Sequence, residues 1–438
     1  MKNWTLNRRS FLKQSSLGAA SLAAIGFSSG SNDPSRRVGI GFVGVGRRGT
    51  SLVRTLLDIP GVELPAFCDV NEENLARAQR VVEDAGRSRP EGYSRGPEDY
   101  KRLVEREDLD AVITATPWDL HAPVMIATMK AGKYGATEVN AAITIEECWE
   151  LVETSEKTGM PCMMLENVCY FRNVMMILNM IRQGALGELI HCEAGYQHDV
   201  RRGKFERDIP ELRWRGEFAT KHNGNLYPTH PIGPVAQWLD VNRGDRFDYL
   251  VSMSSKSRGM NTYVKKAFTA DHPNAKREYA LGDVNVCLIK TVNGATVTLY
   301  HDTQLPRPYD LILRVQGTEG ICMGYEEKIY LEDRSEKAHQ WEPLDRYRED
   351  YEHPVWRKHA SVAGQYGHGG ADFLTLQAFV NAVRDRTQTP IDVYDSVTWS
   401  VIFPLSEESV ANRSRPVDFP DFTKGKWKNR PPIEITEL

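Results

Sequence analysis

The chain predicts an α/β plus α+β fold: an N-terminal Rossmann domain with a doubly wound parallel sheet, then a domain built on a largely antiparallel open sheet. Three observations carry this. A glycine triplet lies between an apolar run and a helical segment, strands and helices alternate up to about residue 165, and longer alternating runs follow residue 188 with few helices between them.

The first strand spans 38–43 and ends in Gly44-Val-Gly46-Arg47-Arg48-Gly49, after which 50–57 has the pattern of a helix. Gly44 allows a tight turn, Gly46 lets the backbone approach a pyrophosphate, and Gly49 lets helix and strand pack closely. The helix start then holds phosphate. A second β-like run, 62–68, closes on Asp69, twenty residues beyond Gly49. Such a carboxylate accepts hydrogen bonds from ribose hydroxyls and repels a 2′-phosphate, which favours NAD over NADP. Helices are expected at 72–84, 97–105, 121–131 and 145–158, and strands at 111–116 and 134–138. Ligands of doubly wound sheets lie beyond the carboxyl ends of strands. By topology, then, Thr116 to His121, Glu138 to Asn140 and Met163 to Asn167 face the cofactor.

Runs at 189–198, 248–254, 283–292, 295–300 and 311–316 form the second sheet, with Asn293-Gly294 as a hairpin turn. Helices are expected at 231–239, 371–384 and 396–410. Loops at 326–359 look like surface elaboration, and coil is expected from Pro416. The domain boundaries are 36–165 for the nucleotide domain and 166–438 for the substrate domain.

With 41% hydrophobic and 26% charged positions in 438 residues, the composition is that of a soluble globular protein. Lys plus Arg number 55 against 59 Asp plus Glu, a net charge of −4 with no long basic cluster, which excludes a nucleic-acid partner. The seven cysteines show no metal or redox spacing and are expected as buried thiols. No metal site is expected. At 1–33, Asn7-Arg8-Arg9-Ser10-Phe11-Leu12-Lys13 precedes a weakly apolar stretch too short to span a bilayer. That is a twin-arginine leader, so the expected location is periplasmic or secreted, without stable membrane insertion.

Polar residues gather at Tyr196-Gln-His198-Asp199, Arg213-Trp-Arg215, Tyr227-Pro-Thr-His230, and from His301-Asp302 to Tyr309. The arginines are placed in a loop. Tyr227 and His230, three apart at a helix entry, can point at one spot. Blander roles stand beside this: a helix cap or core group for His230, packing for Tyr196 and Tyr309, a surface ion pair for Arg215.

The chain resembles the glucose–fructose oxidoreductase, inositol dehydrogenase and MocA superfamily and, within it, glycoside hydrolase family 109, the NAD-dependent α-N-acetylgalactosaminidases. The likeness rests on Gly-Val-Gly-Arg-Arg-Gly at 44–49, Asp69, Trp-Asp-Leu-His at 118–121, Glu138-Val139, Leu-Glu-Asn at 165–167, Gly-Tyr-Gln-His-Asp at 195–199, Tyr-Pro-Thr-His at 227–230, Arg-Pro-Tyr at 307–309 and Gly-His-Gly-Gly-Ala-Asp at 367–372. The resemblance implies that Arg47, Arg48, Asp69, Trp118, Asp119, Leu120, His121, Glu138, Val139, Asn167 and Tyr227 contact NAD. It implies that Tyr196, Arg215, Tyr227, His230 and Tyr309 hold a sugar, with His230 and Tyr227 as the catalytic pair. The superfamily's dehydrogenases usually carry Glu-Lys-Pro where this chain has Glu138-Val139-Asn140, so their proton-handling lysine is absent. The expected activity is therefore redox-neutral glycoside cleavage. An NAD-linked sugar dehydrogenase and a non-catalytic sugar-binding relative are the alternatives. A homodimer through the open sheet is also expected.

Overall fold

The computed structural model describes residues 36–205 and 213–434. The leader expected at 1–33 lies outside the described residues. Six parallel strands, β1 (Val38–Val43), β2 (Val62–Cys68), β3 (Glu91–Tyr93), β4 (Ala111–Thr114), β5 (Tyr134–Thr137) and β6 (Cys162–Met164), lie in the order β3-β2-β1-β4-β5-β6. Every residue of β1 and β4 is buried, as a sheet covered on both faces requires. The order reverses between β1 and β4, which opens a crevice beyond their carboxyl ends. Local chemistry fixes the crossovers. The helix Ile145–Thr158 begins with a capping box between Thr144 and Glu147 and stops at Gly159 in the left-handed conformation.

The second sheet has nine strands: β7 (Leu189–Gln197), β8 (Phe247–Ser254), β9 (Val284–Thr291), β10 (Thr296–Asp302), β11 (Arg314–Gly317), β12 (Gly320–Met323), β13 (Lys328–Leu331), β14 (Glu342–Pro343) and β15 (Val417–Asp418). Their order is β14-β13-β12-β11-β7-β10-β9-β8-β15. Neighbours run antiparallel except β7 and β10, which are parallel at the centre. Alternating hydrophobicity marks a half-buried strand but does not encode its partner's direction. The helices Thr229–Trp238 and Ile402–Ala411 pack on the inner face against β7 and β8. Outside the covered face, Ile190, Tyr249, Met253, Leu288 and Val292 are exposed. No helix among the described residues is long and apolar enough to cross a membrane.

Four expectations are corrected. Arg213 to Arg215 opens a helix, Arg213–Lys221, instead of lying in a loop, because Trp214 and Phe218, one turn apart, both pack on Trp118. The helix expected at 396–410 is two, Val393–Ser400 and Ile402–Ala411, with Pro404 in the first turn of the second. The supposed surface loops at 326–359 contain β13 and most of the helix Pro354–Ala363, with Trp356 buried. The tail from Pro416 contributes an edge strand, β15. All seven cysteines are buried and free, as expected.

Candidate active site

A cleft lies outside the carboxyl ends of β1, β2, β4 and β5. Gly44 turns at φ +81°, and a Cβ there would meet Thr116 N at 2.8 Å; one on Gly49 would lie 2.1 Å from Gly44 O. These two positions therefore hold the loop tight against the following helix, Arg47–Leu57, whose first turn carries no acidic residue. Asp69 accepts hydrogen bonds from the backbone N–H groups of Val45 (2.9 Å) and Asn71 (2.8 Å), which fixes its carboxylate at the cleft wall. Val70, Pro97 and Tyr100 line that end, a surface suited to a flat aromatic base. Trp118, Glu138, Val139, Trp214 and Arg215 line the other. A backbone cradle, a ribose-facing acid and an apolar slot are the donor set a dinucleotide needs, so NAD fits the residues present.

Of the residues expected around NAD, Gly44, Gly46, Arg47, Arg48, Asp69, Trp118, Leu120, His121, Glu138 and Val139 line the cleft; Gly49, Asn167 and Tyr227 lie outside its lining, as does Asp119, which is exposed. His121 is buried, with Nδ1 2.6 Å from Asn140 O and Nε2 2.8 Å from Thr116 O, so it shapes the two loops instead of presenting a free nitrogen. Arg48 donates to Glu138 (2.7 Å) and, with two nitrogens, to Asp372 (2.7 and 3.0 Å). Asp372 also accepts from Asn167 Nδ2 at 2.7 Å. Burial would raise the Asp372 carboxyl, but hydrogen bonds from His368 and Arg48 override it and hold the group well below the usual carboxylate range. Asn167 Oδ1 is left buried without a partner.

Beyond Trp118 the aromatic groups converge. The rings of Tyr196 and Tyr227 are 4.4 Å apart, Tyr227 and His230 4.9 Å, and Tyr196 and Tyr309 6.1 Å. Arg215 is half-buried, its guanidinium 5.0 Å from the Tyr227 ring and 5.5 Å from Trp118, so it is held over aromatic rings and not in a surface ion pair. The five residues expected at a sugar thus stand together, and Tyr227 joins them to the cleft through Trp118, 5.8 Å away.

His230 is the second residue of the helix Thr229–Trp238, which starts two residues before the position expected from the sequence, so it lies inside the helix instead of preceding it, and it caps nothing. Its Nδ1 lies 2.7 Å from Glu166 Oε1 and its Nε2 3.4 Å from Tyr227 Oη. Glu166 is fully buried; Oε1 also accepts from Val168 N at 3.1 Å, and Oε2 has no partner. Burial pushes the Tyr227 phenol well above its ordinary value, with Arg215 only partly opposing. Tyr227 is therefore a proton donor at neutral pH and not a base. That leaves His230, backed by the Glu166 carboxylate, as the proton acceptor of the pair.

Sequence reasoning assigned no individual role to three members of the site that it had placed in motifs: Glu166, His198, whose Nδ1 lies 3.1 Å from Tyr196 Oη, and Asp372. Glu166 lies two residues beyond the end of β6, inside a segment already placed on the cofactor rim, and that position was the available signal. Trp214, packed on Trp118, and the buried Lys204 were likewise given no role.

Comparison with known proteins agrees with this geometry. Residues 38–166 match the oxidoreductase family with an NAD-binding Rossmann fold, and residues 170–429 match the C-terminal domain of glycosyl hydrolase 109. The chain is 44% identical over 417 residues to a glycosyl hydrolase family 109 protein of Stenotrophomonas maltophilia, covering 91% of this chain and 92% of that one. It is 43% identical to one of Shewanella pealeana, covering 98% and 99%. Among solved structures, an NAD-binding oxidoreductase from Klebsiella pneumoniae is similar with a TM-score of 0.68 at 18% identity, over 88% of this chain and 99% of that one. A levoglucosan dehydrogenase in complex with NADH gives 0.67 at 19%, over 88% and 100%. The latter two share the fold. A nucleotide cleft joined to an aromatic, histidine-bearing pocket, together with these matches, places the chain in glycosyl hydrolase family 109, with an NAD-binding Rossmann domain of the oxidoreductase superfamily at its N-terminal end.

Proposed function

We propose that the protein hydrolyses α-N-acetylgalactosaminides by a redox-neutral route using tightly held NAD. The observation that carries this reading is the Glu166–His230–Tyr227 chain beside the cleft, where Val139 replaces a proton-handling lysine. Bound NAD supplies a reversible hydride acceptor for carbon 3 of the sugar. The carbon 3 ketone acidifies the hydrogen on carbon 2; loss of that proton expels the aglycone from carbon 1. Addition of water at carbon 1 and of a proton at carbon 2, with reduction of the ketone, would complete the cycle. No electrons are left over, so no second redox substrate is needed.

His230 accepts protons in this scheme and Glu166 stabilises the imidazolium that results. Tyr227 and the half-buried Arg215 place hydrogen-bond donors and positive charge where an enolate oxygen develops. Tyr196 and Tyr309 orient the ring.

Turnover of an aryl α-N-acetylgalactosaminide in heavy water, without added NAD, should place deuterium at carbon 2 of the released sugar. Cleavage with protium retained there would reject the elimination route. Accumulation of NADH from free sugar and added NAD would establish the dehydrogenase alternative instead. The exposed apolar side chains on the open sheet, Tyr249, Met253 and Leu288 among them, further point to a homodimer. Light scattering should give twice the chain mass, and Leu288→Lys should give monomer. A wild-type monomer at high concentration would dismiss the dimer.

A further inference from the structure

The Gly-His-Gly-Gly-Ala-Asp run at 367–372 holds a histidine with no part yet in the chemistry, and the elimination scheme lacks one proton. Expulsion of an aglycone from carbon 1 leaves the electron pair of the C1–O bond on the aglycone oxygen, and an alkoxide leaves readily only if it is protonated as it departs. His230 is occupied as the proton acceptor, and Tyr227 faces the developing enolate. The other histidines near the tyrosines are poor proton sources. Burial, then the charge of Arg215, hold His198 below its ordinary range, and burial, then Lys204 and Arg215, take His301 down to about 3. Both rings are neutral at neutral pH.

His368 stands differently. It lines a groove of about 510 Å³, within the ordinary span of small-ligand sites, about 300–1,000 Å³. The groove meets the tyrosine cluster through Tyr325, another of its lining residues, whose Oη donates to Tyr309 O at 2.7 Å and whose ring lies 6.0 Å from the Tyr309 ring. It meets the His230 side through Asp372, the partner of His368, which accepts from Asn167, the residue after Glu166.

The local backbone presents the imidazole. His368, Gly369 and Gly370 have φ of +53°, +64° and +101°, and this left-handed stretch leads into the helix Ala371–Asp385. His368 Nδ1 lies 3.0 Å from Asp372 Oδ2 in the first turn of that helix, with the two side chains 52% and 2% exposed. Nε2 has no partner among the described residues. A buried carboxylate on Nδ1 fixes the proton there and leaves Nε2 as the atom free to give or take one. With His368 as imidazolium, the bonded row Glu138, Arg48, Asp372 and His368 holds two carboxylates and two cations.

We infer that His368 is the general acid for departure of the aglycone. As the electron pair left on carbon 2 forms the C1–C2 double bond, the C1–O bond breaks and its pair passes to the aglycone oxygen. That oxygen takes the Nε2 proton, giving an alcohol and a neutral imidazole still held by Asp372. In the return half, the water that adds at carbon 1 gives a proton back to Nε2. This rests on the glycosidase reading and adds to it the group that protonates the leaving oxygen.

The test compares methyl α-N-acetylgalactosaminide, whose methoxide needs a proton to leave, with the dinitrophenyl glycoside, whose phenolate leaves unaided. His368→Asn and His368→Gln remove the acid; asparagine also tolerates the left-handed backbone. In both variants kcat/KM on the methyl glycoside should fall by about 10²- to 10⁴-fold, and by at least about tenfold more than on the dinitrophenyl glycoside. In heavy water, the uncleaved methyl glycoside recovered from the variants should carry deuterium at carbon 2, because His230 still removes that proton while departure stalls. An equal loss on both substrates in both variants overturns the inference, as does methyl glycoside cleavage within about twofold of wild type. Loss of carbon 2 exchange in proportion to cleavage overturns it as well. Wild-type protein that cleaves neither glycoside rejects the glycosidase reading and this inference with it; wild-type cleavage with an unmoved ratio in the variants rejects this inference alone.

Discussion

Glu166→Gln is expected to lower kcat by about 10²- to 10³-fold with little change in KM or in bound NAD. The substitution keeps the shape of the side chain and its acceptance of the Val168 N–H. It removes the charge 2.7 Å from His230 Nδ1. A carboxylate in that position does two things. It fixes the proton on Nδ1, leaving Nε2 free to accept, and it stabilises the imidazolium formed when Nε2 takes a proton. An amide can keep the first, in one of its two orientations, but not the second. The oxygen Oε2 is buried without a partner, so no other group is poised to replace the lost charge.

Glu166 acts through His230 and is a positioning residue, and the split between kcat and KM separates this from a merely structural role. Deuterium entry at carbon 2 should fall in parallel with kcat, while KM and the bound NAD stay near the wild-type values. A variant with kcat within twofold of wild type would remove Glu166 from the proton pathway, and a loss expressed in KM and bound NAD instead of kcat would leave it a packing residue.

What the sequence discloses and what it hides follow from the range of the interactions. Gly44, Gly49 and Asp69 were legible because a tight turn and the fixed spacing of a strand-turn-helix unit impose them locally. The sugar residues were legible as polar clusters at strand ends, although the sequence gives no distance among Tyr196, Arg215 and His230. Glu166 and His230 are 64 residues apart, and Arg48 and Asp372 are 324 apart, so no local pattern announces either pair. Arg215 was placed in a loop because a charged tripeptide carries little periodicity; only the packing of Trp214 and Phe218 on Trp118 makes it helical. Lys204 resembles any surface lysine until the fold encloses it.

Arg48→Ala should cost about 3 kcal/mol of stability and most of the NAD affinity, because of what it leaves behind. Arg48 is the cation shared by Glu138, on the cofactor side, and Asp372, in the first turn of the helix Ala371–Asp385. Asp372 is 2% exposed in its side chain, so without the guanidinium a buried carboxylate keeps only Asn167 and the half-exposed His368 as donors. The folded-state pKa of Asp372 lies below that of the unfolded chain. Its contribution is therefore complete above about pH 4 and is lost as the solution is acidified further. In Arg48→Ala that acid dependence should flatten, since the carboxyl no longer has its strongest partner. Asp372→Asn in the same background should recover part of the loss by removing the uncompensated charge, the opposite of what two independent stabilising groups would give. Thermal melts from pH 3 to 8 on wild type, both single variants and the double variant close the cycle. Simple additivity of the two substitutions would show that the pair does not couple the nucleotide loop to the second half of the chain.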